Sequence, residues 1–311
     1  MCTYNGEKYL IKQLDSIVKQ TYSNIELIII DDCSSDLTFK LLEEYALSYH
    51  FIRVYQNSSN VGFNKNFEKG LSLAKGEFIA ISDQDDIWYP EKLAKLYEHI
   101  GENWLIFSNS ALIDETDALT GRRLFGKIGF SDLNYQSILI YNLVTGHTVL
   151  LKKEFLKYIL PFPSDGYYDW WMGFIALRHR RLVYLDQILT AYRVHHRSVI
   201  QQQVRGPGIE NNSLAVVNYQ STYTQLKYFY NHLQADHDTV FITRLMSLYS
   251  GDLNSLKKIS MFFFIFLNYH QLFPVQKRRK FFSLSRLKFV HEYLKEVSTA
   301  KHILSISNPV L

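Results

Sequence analysis

Three carboxylates fall within four residues at Asp83-Gln84-Asp85-Asp86. They follow an apolar run, Phe78-Ile79-Ala80-Ile81, with the composition of a buried strand. Trp88-Tyr89-Pro90 comes next, and Pro90 suits the first turn of a helix. The acids therefore stand at the carboxyl end of a strand, the edge on which open α/β sheets bind ligands. Carboxylates this close repel one another and are costly to bury unpaired. A hard divalent cation relieves that cost, and Mg²⁺ in such sites shares one or two carboxylates with substrate phosphates. Asp is also common in turns, so a solvated turn that caps the next helix is the alternative.

Two more acidic spots have the same setting. Asp31-Asp32 ends an apolar run over residues 25–30, and Asp169 lies between Tyr167-Tyr168 and Trp170-Trp171 at the start of a helical pattern. In a parallel sheet successive strand ends share one edge, so the first two spots should converge. Thr3-Tyr4-Asn5 belongs to that edge as well.

The elements that must position these residues alternate. A helix with Leu10, Ile11, Leu14, Ile17 and Val18 on one face precedes the strand over 25–30. Ser34, Ser35 and Asp36 offer an N-cap to a second helix carrying Leu37, Leu41, Leu42 and Tyr45. A strand over 51–55, a polar loop over 56–62 and a helix over 64–75 lead to the strand that ends at Asp83. This alternation predicts a parallel sheet flanked by helices. The first helix has almost no chain ahead of it, so the first strand is expected to be a stub or truncated.

Further on, a helix is expected over 91–99 and a strand over 104–107. Residues 109–135 read as irregular, a hairpin with a loop. Strands are expected over 148–151, 182–185 and 188–192, and a helix over 168–178. Gly206-Pro207-Gly208 sits in a polar linker over 199–208, which divides the chain into domains at 1–200 and 201–311. The second domain is helical by pattern, with Leu226, Phe229, Tyr230 and Leu233, then Phe241, Leu245 and Leu248, at helical spacing.

With 47% hydrophobic residues in 311, the chain can bury a sizeable core, which excludes disorder. Two cysteines, Cys2 and Cys33, are too few for a disulfide framework and suit a reducing compartment. The first residues show no signal-peptide pattern. Charge is uneven: residues 251–311 hold ten Lys/Arg against three Asp/Glu, a net +7, so the first 250 carry −3 of the total +4. Residues 259–267 are apolar but for Ser260, flanked by Lys257-Lys258 and by Lys277-Arg278-Arg279-Lys280. That run is too short to span a bilayer and suits an interfacial helix on a membrane surface; a helix packed on the body of the protein is the alternative. A nucleic-acid role is disfavoured, because the basic residues cluster in an apolar tail and not along a groove with stacking aromatics.

Taken together, Thr3-Tyr4-Asn5-Gly6-Glu7, Ile28-Ile29-Ile30-Asp31-Asp32-Cys33-Ser34-Ser35-Asp36, Asn60-Val61-Gly62 and Asp83-Gln84-Asp85-Asp86 resemble the family 2 glycosyltransferases, which have the GT-A fold, a Rossmann-like α/β arrangement with a mixed, mostly parallel sheet. The run from Ser82 to Trp88, followed by Pro90 and Lys92-Leu93, is similar to bacterial rhamnosyltransferases of O-antigen and capsule assembly. Tyr192-Arg193-Val194-His195 matches the Tyr-Arg-x-His late in that domain. The resemblance covers about residues 1–200; the helical extension behind it matches no named family. Cys33 stands where family members often have Gly.

The resemblance implies an inverting, metal-dependent transfer of a sugar, with L-rhamnose from dTDP-rhamnose favoured, to a lipid-linked or oligosaccharide acceptor at the inner face of the cell membrane. It implies that Thr3, Tyr4, Asn5, Glu7, Asp32, Asn60 and Asp83 hold the donor nucleotide. Asp83 and Asp85 face Mg²⁺ or Mn²⁺, and Asp86 is a ligand or the partner of one. Asp169 is the candidate general base, with aromatic neighbours that can raise its pKa and form an acceptor platform; an N-cap aspartate is the competing role. Gly146, His147, Trp170, Trp171, Arg193 and His195 are assigned to the acceptor or the diphosphate. A nucleotidyltransferase would want a Gly-rich basic loop near the N-terminus, and the sequence has none there. A non-catalytic nucleotide-sugar-binding protein with a truncated first strand is the remaining alternative.

Overall fold

A computed structural model describes residues 1–126, 133–195, 211–234, 239–250, 255–274 and 284–307. The chain divides into two compact units, residues 1–127 with 143–194 and residues 128–142 with 195–311. The linker expected over 199–208 lies outside the described residues. Residues 128–142, expected in the first domain, group with the second unit.

The first unit opens with β1 (Cys2–Thr3), α1 (Leu10–Val18), β2 (Leu27–Asp31), α2 (Thr38–Ser48), β3 (Ile52–Gln56) and α3 (Phe63–Leu73). The three strands pair in the order β1-β2-β3, all parallel. Each crossover is a helix, as a parallel pairing requires. The apolar face of α1, Leu10, Leu14 and Ile17, packs with Leu27 and Ile29 of β2 and with Leu42 and Ile52. Register follows from this: Ile29 and Ile30 are wholly buried, so a one-residue slip would move their side chains to the wrong faces.

Next come β4 (Phe78–Ala80), β5 (Ile87–Trp88), α4 (Lys92–His99), β6 (Leu105–Ile113), β7 (Leu119–Arg123) and β8 (Val149–Lys152), then α5 (Leu156–Ile159), α6 (Tyr168–Arg178) and β9 (Leu182–Arg193). They form a second sheet in the order β4-β8-β6-β9-β5, with β7 on β6. Only β6 and β9 are parallel; the other pairings are antiparallel. The expectation of a parallel sheet thus holds for the first half and gives way to a mixed sheet in the second. The two strands expected over 182–192 are one strand. Its register against β6 shifts between Ser108 and Ser110, opposite the polar Asp186-Gln187 that interrupts the apolar pattern.

The two sheets approach at a single edge. Cys2 donates its N–H to the Ser82 carbonyl at 3.3 Å. Beyond that rung, β2 and β4 stand apart across a cavity of about 560 Å³ whose walls include Leu27, Ile28, Phe67, Phe78 and Ala80. The first strand is two residues long, and the Met1 ammonium donates to the Ile28 carbonyl at 2.8 Å.

The second unit is helical over its described residues, with helices Asn211–Gln234, Val240–Tyr249, Ser255–Leu267, Tyr269–Leu272 and Leu284–Ser307. Leu226, Phe229 and Leu233 are buried as their spacing predicts, with Leu245, Leu248, Ile265 and Tyr269. No helix among the described residues is long and apolar enough to cross a membrane.

Candidate active site at the strand ends

The site is built on the turn that follows β4. The Gln13 amide of α1 meets the Ser82 hydroxyl at 2.7 Å and fixes the start of the turn. Gln84 then reaches to Tyr4, accepting its N–H at 2.8 Å and donating to its carbonyl at 3.0 Å. A side-chain amide thus imitates a strand rung and ties the acidic turn to the Thr3-Tyr4-Asn5 segment.

Asp86 is fully buried and accepts the Arg193 N–H at 3.1 Å on Oδ1. Its Oδ2 has no hydrogen-bond partner. Across from it lies His147 Nδ1 at 3.9 Å. Ligand atoms of Asp83, Asp86 and His147 all fall within 4.8 Å of one another, and this is the one such group among the described residues. An orphaned, buried carboxylate oxygen beside an imidazole nitrogen and a second carboxylate fits a divalent cation. Asp85 is half-buried and lies outside that group; its carbonyl accepts the Arg193 Nε–H at 2.8 Å.

Electrostatics match the geometry. Burial, then the charges of Asp85 and Asp169, push the Asp83 carboxyl up to about 7. Burial, then Asp85 and Asp83, hold Asp86 well above the usual carboxylate range. Burial and the nearby Lys92 ammonium push His147 down to about 3, so its imidazole is neutral and able to ligate. His147 is held by the Ser110 hydroxyl at 2.9 Å from Nε2 and by a parallel stack on Tyr192, ring centroids 4.6 Å apart. Lys92 is fully buried, donates to the His147 carbonyl and lies 3.8 Å from the Trp88 ring centroid. Burial lowers its pKa well below the usual lysine value, while Asp86 and Asp83 oppose that shift.

Asp169 arrives on the first turn of α6. Tyr167, not Asp169, occupies the N-cap position. The Asp169 carboxylate accepts the Gly146 N–H at 3.1 Å and the Trp170 N–H at 2.8 Å. Gly146 has no room for a side chain, since a Cβ there would meet the Tyr168 hydroxyl at 2.0 Å. The turn Gly146–Thr148 therefore lies tight against α6 and joins Asp169 to His147.

The nucleotide-side residues form a connected lattice. Thr3 donates to Asp31 at 3.0 Å, and Asp31 also accepts from Ser34 and Gln56. Asp32 is buried and accepts from Asn57, Val61 and Gly62 at 2.8–2.9 Å. Its carboxylate thus holds the Asn60-Val61-Gly62 loop, where Asn60 also accepts the Gly62 N–H. Glu7 accepts the Leu37 N–H ahead of α2, and Asn5, at φ 48°, accepts from Ser35. Tyr4 leaves its ring exposed.

Four residues sit differently from the sequence reading. The Arg193 guanidinium is wholly buried: it donates to the Asp85 and Asp114 carbonyls, pairs with Asp117 at 2.6 Å and stacks on Tyr9. It clamps the acidic turn from behind. Trp170 is 5% exposed, and Trp171 turns its Nε1–H to the Ile159 carbonyl. Adjacent helical residues point to different sides, so the pair forms no common platform. Phe63, which is exposed, stacks on the half-buried Tyr167 two residues before Asp169, with centroids 6.2 Å apart. His195 is buried and is counted with the second unit. Sequence reasoning missed Gln84, Lys92, Ser110 and Tyr192 as site-builders. Gln84, Lys92 and Tyr192 lay within motifs quoted above without a role of their own, and Ser110 had no signal.

Comparison with known proteins shows the family and the fold. The sequence profile for "Glycosyl transferase family 2" matches residues 1–160. An uncharacterized glycosyltransferase of Haemophilus influenzae is 26% identical over 271 residues, covering 81% of this chain and 80% of that one. The dTDP-rhamnosyl transferase RfbG of Shigella flexneri is 39% identical over 115 residues, 35% of this chain and 38% of its own length. Among solved structures, S. aureus TarS 1-349 in complex with UDP-GlcNAc superposes with a TM-score of 0.56 at 17% identity, covering 98% of this chain and 90% of that one. At that identity the likeness is one of fold. With the profile spanning residues 1–160 of 311 and the strand-end acids inside it, the chain is a glycosyltransferase of the GT-A fold and belongs to glycosyl transferase family 2.

Proposed function

We propose that this glycosyltransferase moves a sugar, with inversion, from a nucleotide-diphosphate donor to a lipid-linked or oligosaccharide acceptor in cell-surface polysaccharide synthesis, using Mg²⁺ or Mn²⁺ at the inner face of the cell membrane. The observation that carries this reading is the convergence of Asp83, Asp86 and His147 within 4.8 Å, with Asp169 bonded to the neighbouring Gly146. L-Rhamnose from dTDP-rhamnose is the favoured sugar. Its support is the acidic motif from Ser82 to Trp88 and the partial likeness to a dTDP-rhamnosyl transferase.

In this reading Asp83, Asp86 and the neutral His147 would hold the cation, with Asp85 beside them. A bound divalent cation offsets charge on the departing nucleoside diphosphate. Thr3, Tyr4 and Asn5 receive the nucleotide, and Asp32 acts through the loop that it holds. Asp169 takes the proton from the acceptor hydroxyl as that oxygen bonds to the anomeric carbon and the sugar–phosphate bond breaks. Lys92 tempers the repulsion between Asp83 and Asp86 from below. Phe63 and Tyr167 offer the acceptor sugar an aromatic face.

Calorimetric titration with Mn²⁺ and a panel of dTDP, UDP and GDP sugars tests this. One donor should bind and turn over. Mn²⁺ should bind more tightly at pH 8 than at pH 6, because Asp83 holds a proton below about 7 and the cation must displace it. Nucleotide binding without turnover would favour a non-catalytic binder, and no Mn²⁺ binding at either pH would remove the metal from the reading.

A further inference from the structure

The helix Ser255–Leu267 is apolar on two opposite sides. One side turns into the second unit: Met261, Ile265 and Phe266 are buried, and Arg286 of the helix Leu284–Ser307 lies over the Phe266 ring. The other side carries Leu256, Ile259, Phe263 and Leu267, which are 79%, 56%, 57% and 62% exposed. Their spacing of three, four and four residues puts them on one stripe, about 16 Å long at 1.5 Å per residue.

A contiguous apolar stripe held in water marks a surface made for contact. What borders it identifies the partner. The helix holds Lys257 and Lys258 and no Asp or Glu. Arg244 donates to Ser260 beside the stripe and lies 5.4 Å from the Phe264 ring centroid. A protein–protein rim would mix both signs of charge with hydrogen-bonding groups, whereas the charged groups named here, among the described residues, are cationic. Thirteen residues rise about 20 Å, short of the roughly 30 Å of a bilayer core, so the helix cannot span. An apolar face with a basic border lies in the plane of an anionic membrane.

We propose that Leu256, Ile259, Phe263 and Leu267 form a lipid-docking face that enters the headgroup boundary of an anionic bilayer, with Lys258 and Arg244 against the headgroups. This names the contact surface for the membrane setting proposed above, but it does not require transfer activity, and its test reads none.

The full chain is sedimented with vesicles of phosphatidylcholine alone and of phosphatidylcholine with phosphatidylglycerol. Partitioning onto the anionic vesicles should be stronger by roughly tenfold or more and should weaken with salt. Phe263→Glu and Ile259→Glu should each lower it roughly tenfold, and Lys258→Gln about fivefold. Both carboxylates would stand on an exposed face, so circular dichroism should show the fold unchanged; Leu267→Ser, a milder change on the same stripe, should weaken binding as well. Equal partitioning of wild type and Phe263→Glu would overturn the proposal. So would a dimer in gel filtration that Phe263→Glu dissolves, because the stripe would then be a contact between copies.

Discussion

Asp169→Asn is expected to lower sugar transfer by about 10²–10⁴-fold while nucleotide-sugar affinity stays within about twofold. The substitution keeps the shape and one acceptor oxygen, so the bond from Gly146 N–H can persist and the turn that carries His147 can stay in position. What it removes is the basic oxygen. A base lost from an intact site lowers kcat and leaves binding; a brace lost from the Gly146 turn would lower both. Single-turnover kinetics with equilibrium binding separate the two, and a variant with unimpaired turnover would remove Asp169 as the base. The neighbouring Asp83 offers a second readout. Asp169 is one of the charges that raise the Asp83 pKa, so in the metal-free Asn variant the Asp83 titration should move down from about 7.

Arg193→Met should lower stability by about 3 kcal/mol, the lower end for a buried charge pair that loses one member, because Asp117 keeps some solvent contact. For a unit of this size that is a fall in Tm of about 6–12 °C. The side chain joins three otherwise separate pieces: the acidic turn through the Asp85 carbonyl, the 114–117 turn through Asp114 and Asp117, and Tyr9 ahead of α1. Donor affinity should fall with stability, since the turn that bears Asp83 and Asp86 loses its backing. Arg193→Lys keeps the charge but not the planar fork, so it should recover only part of either loss. A Tm within about a degree of wild type would show that the clamp is not needed for the fold.

These two residues mark how far the sequence was legible. Asp169 and the Ser82–Asp86 turn could be found because their signal is local: acids placed just past apolar runs, whose strand ends must share an edge. The parallel half of the fold was legible for the same reason, through the strict alternation over residues 25–80. Arg193 misled because a charged residue at a strand end suggests a ligand, and nothing in the sequence tells that Tyr9, Asp85 and Asp114 will enclose it. His147 was recognised without its role. Its partners Asp86, Ser110 and Tyr192 are 61, 37 and 45 residues away and meet only because β8 and β9 flank β6. Trp170 and Trp171 read as a platform as neighbours in sequence, but one faces the core and the other hydrogen-bonds a carbonyl. In the second sheet only the β6–β7 hairpin was legible, through the hairpin expected over 109–135; the antiparallel placing of β4 and β8 had no local signal, since a buried antiparallel strand is as apolar as a parallel one.

The cavity between β2 and β4 has a consequence for amide hydrogen exchange. Backbone N–H groups of β2 alternate in direction: Leu27 donates to Phe51 of the neighbouring chain segment on one side, Ile30 to Met1 on the other. The backbone bond that links β1 to the acidic turn, from the Cys2 N–H to the Ser82 carbonyl at 3.3 Å, borders that cavity. The Cys2 amide should therefore exchange faster than those of Leu27 and Ile30, which donate within the three-stranded sheet. The difference would trace the seam where the nucleotide edge and the acidic turn have to stay in register.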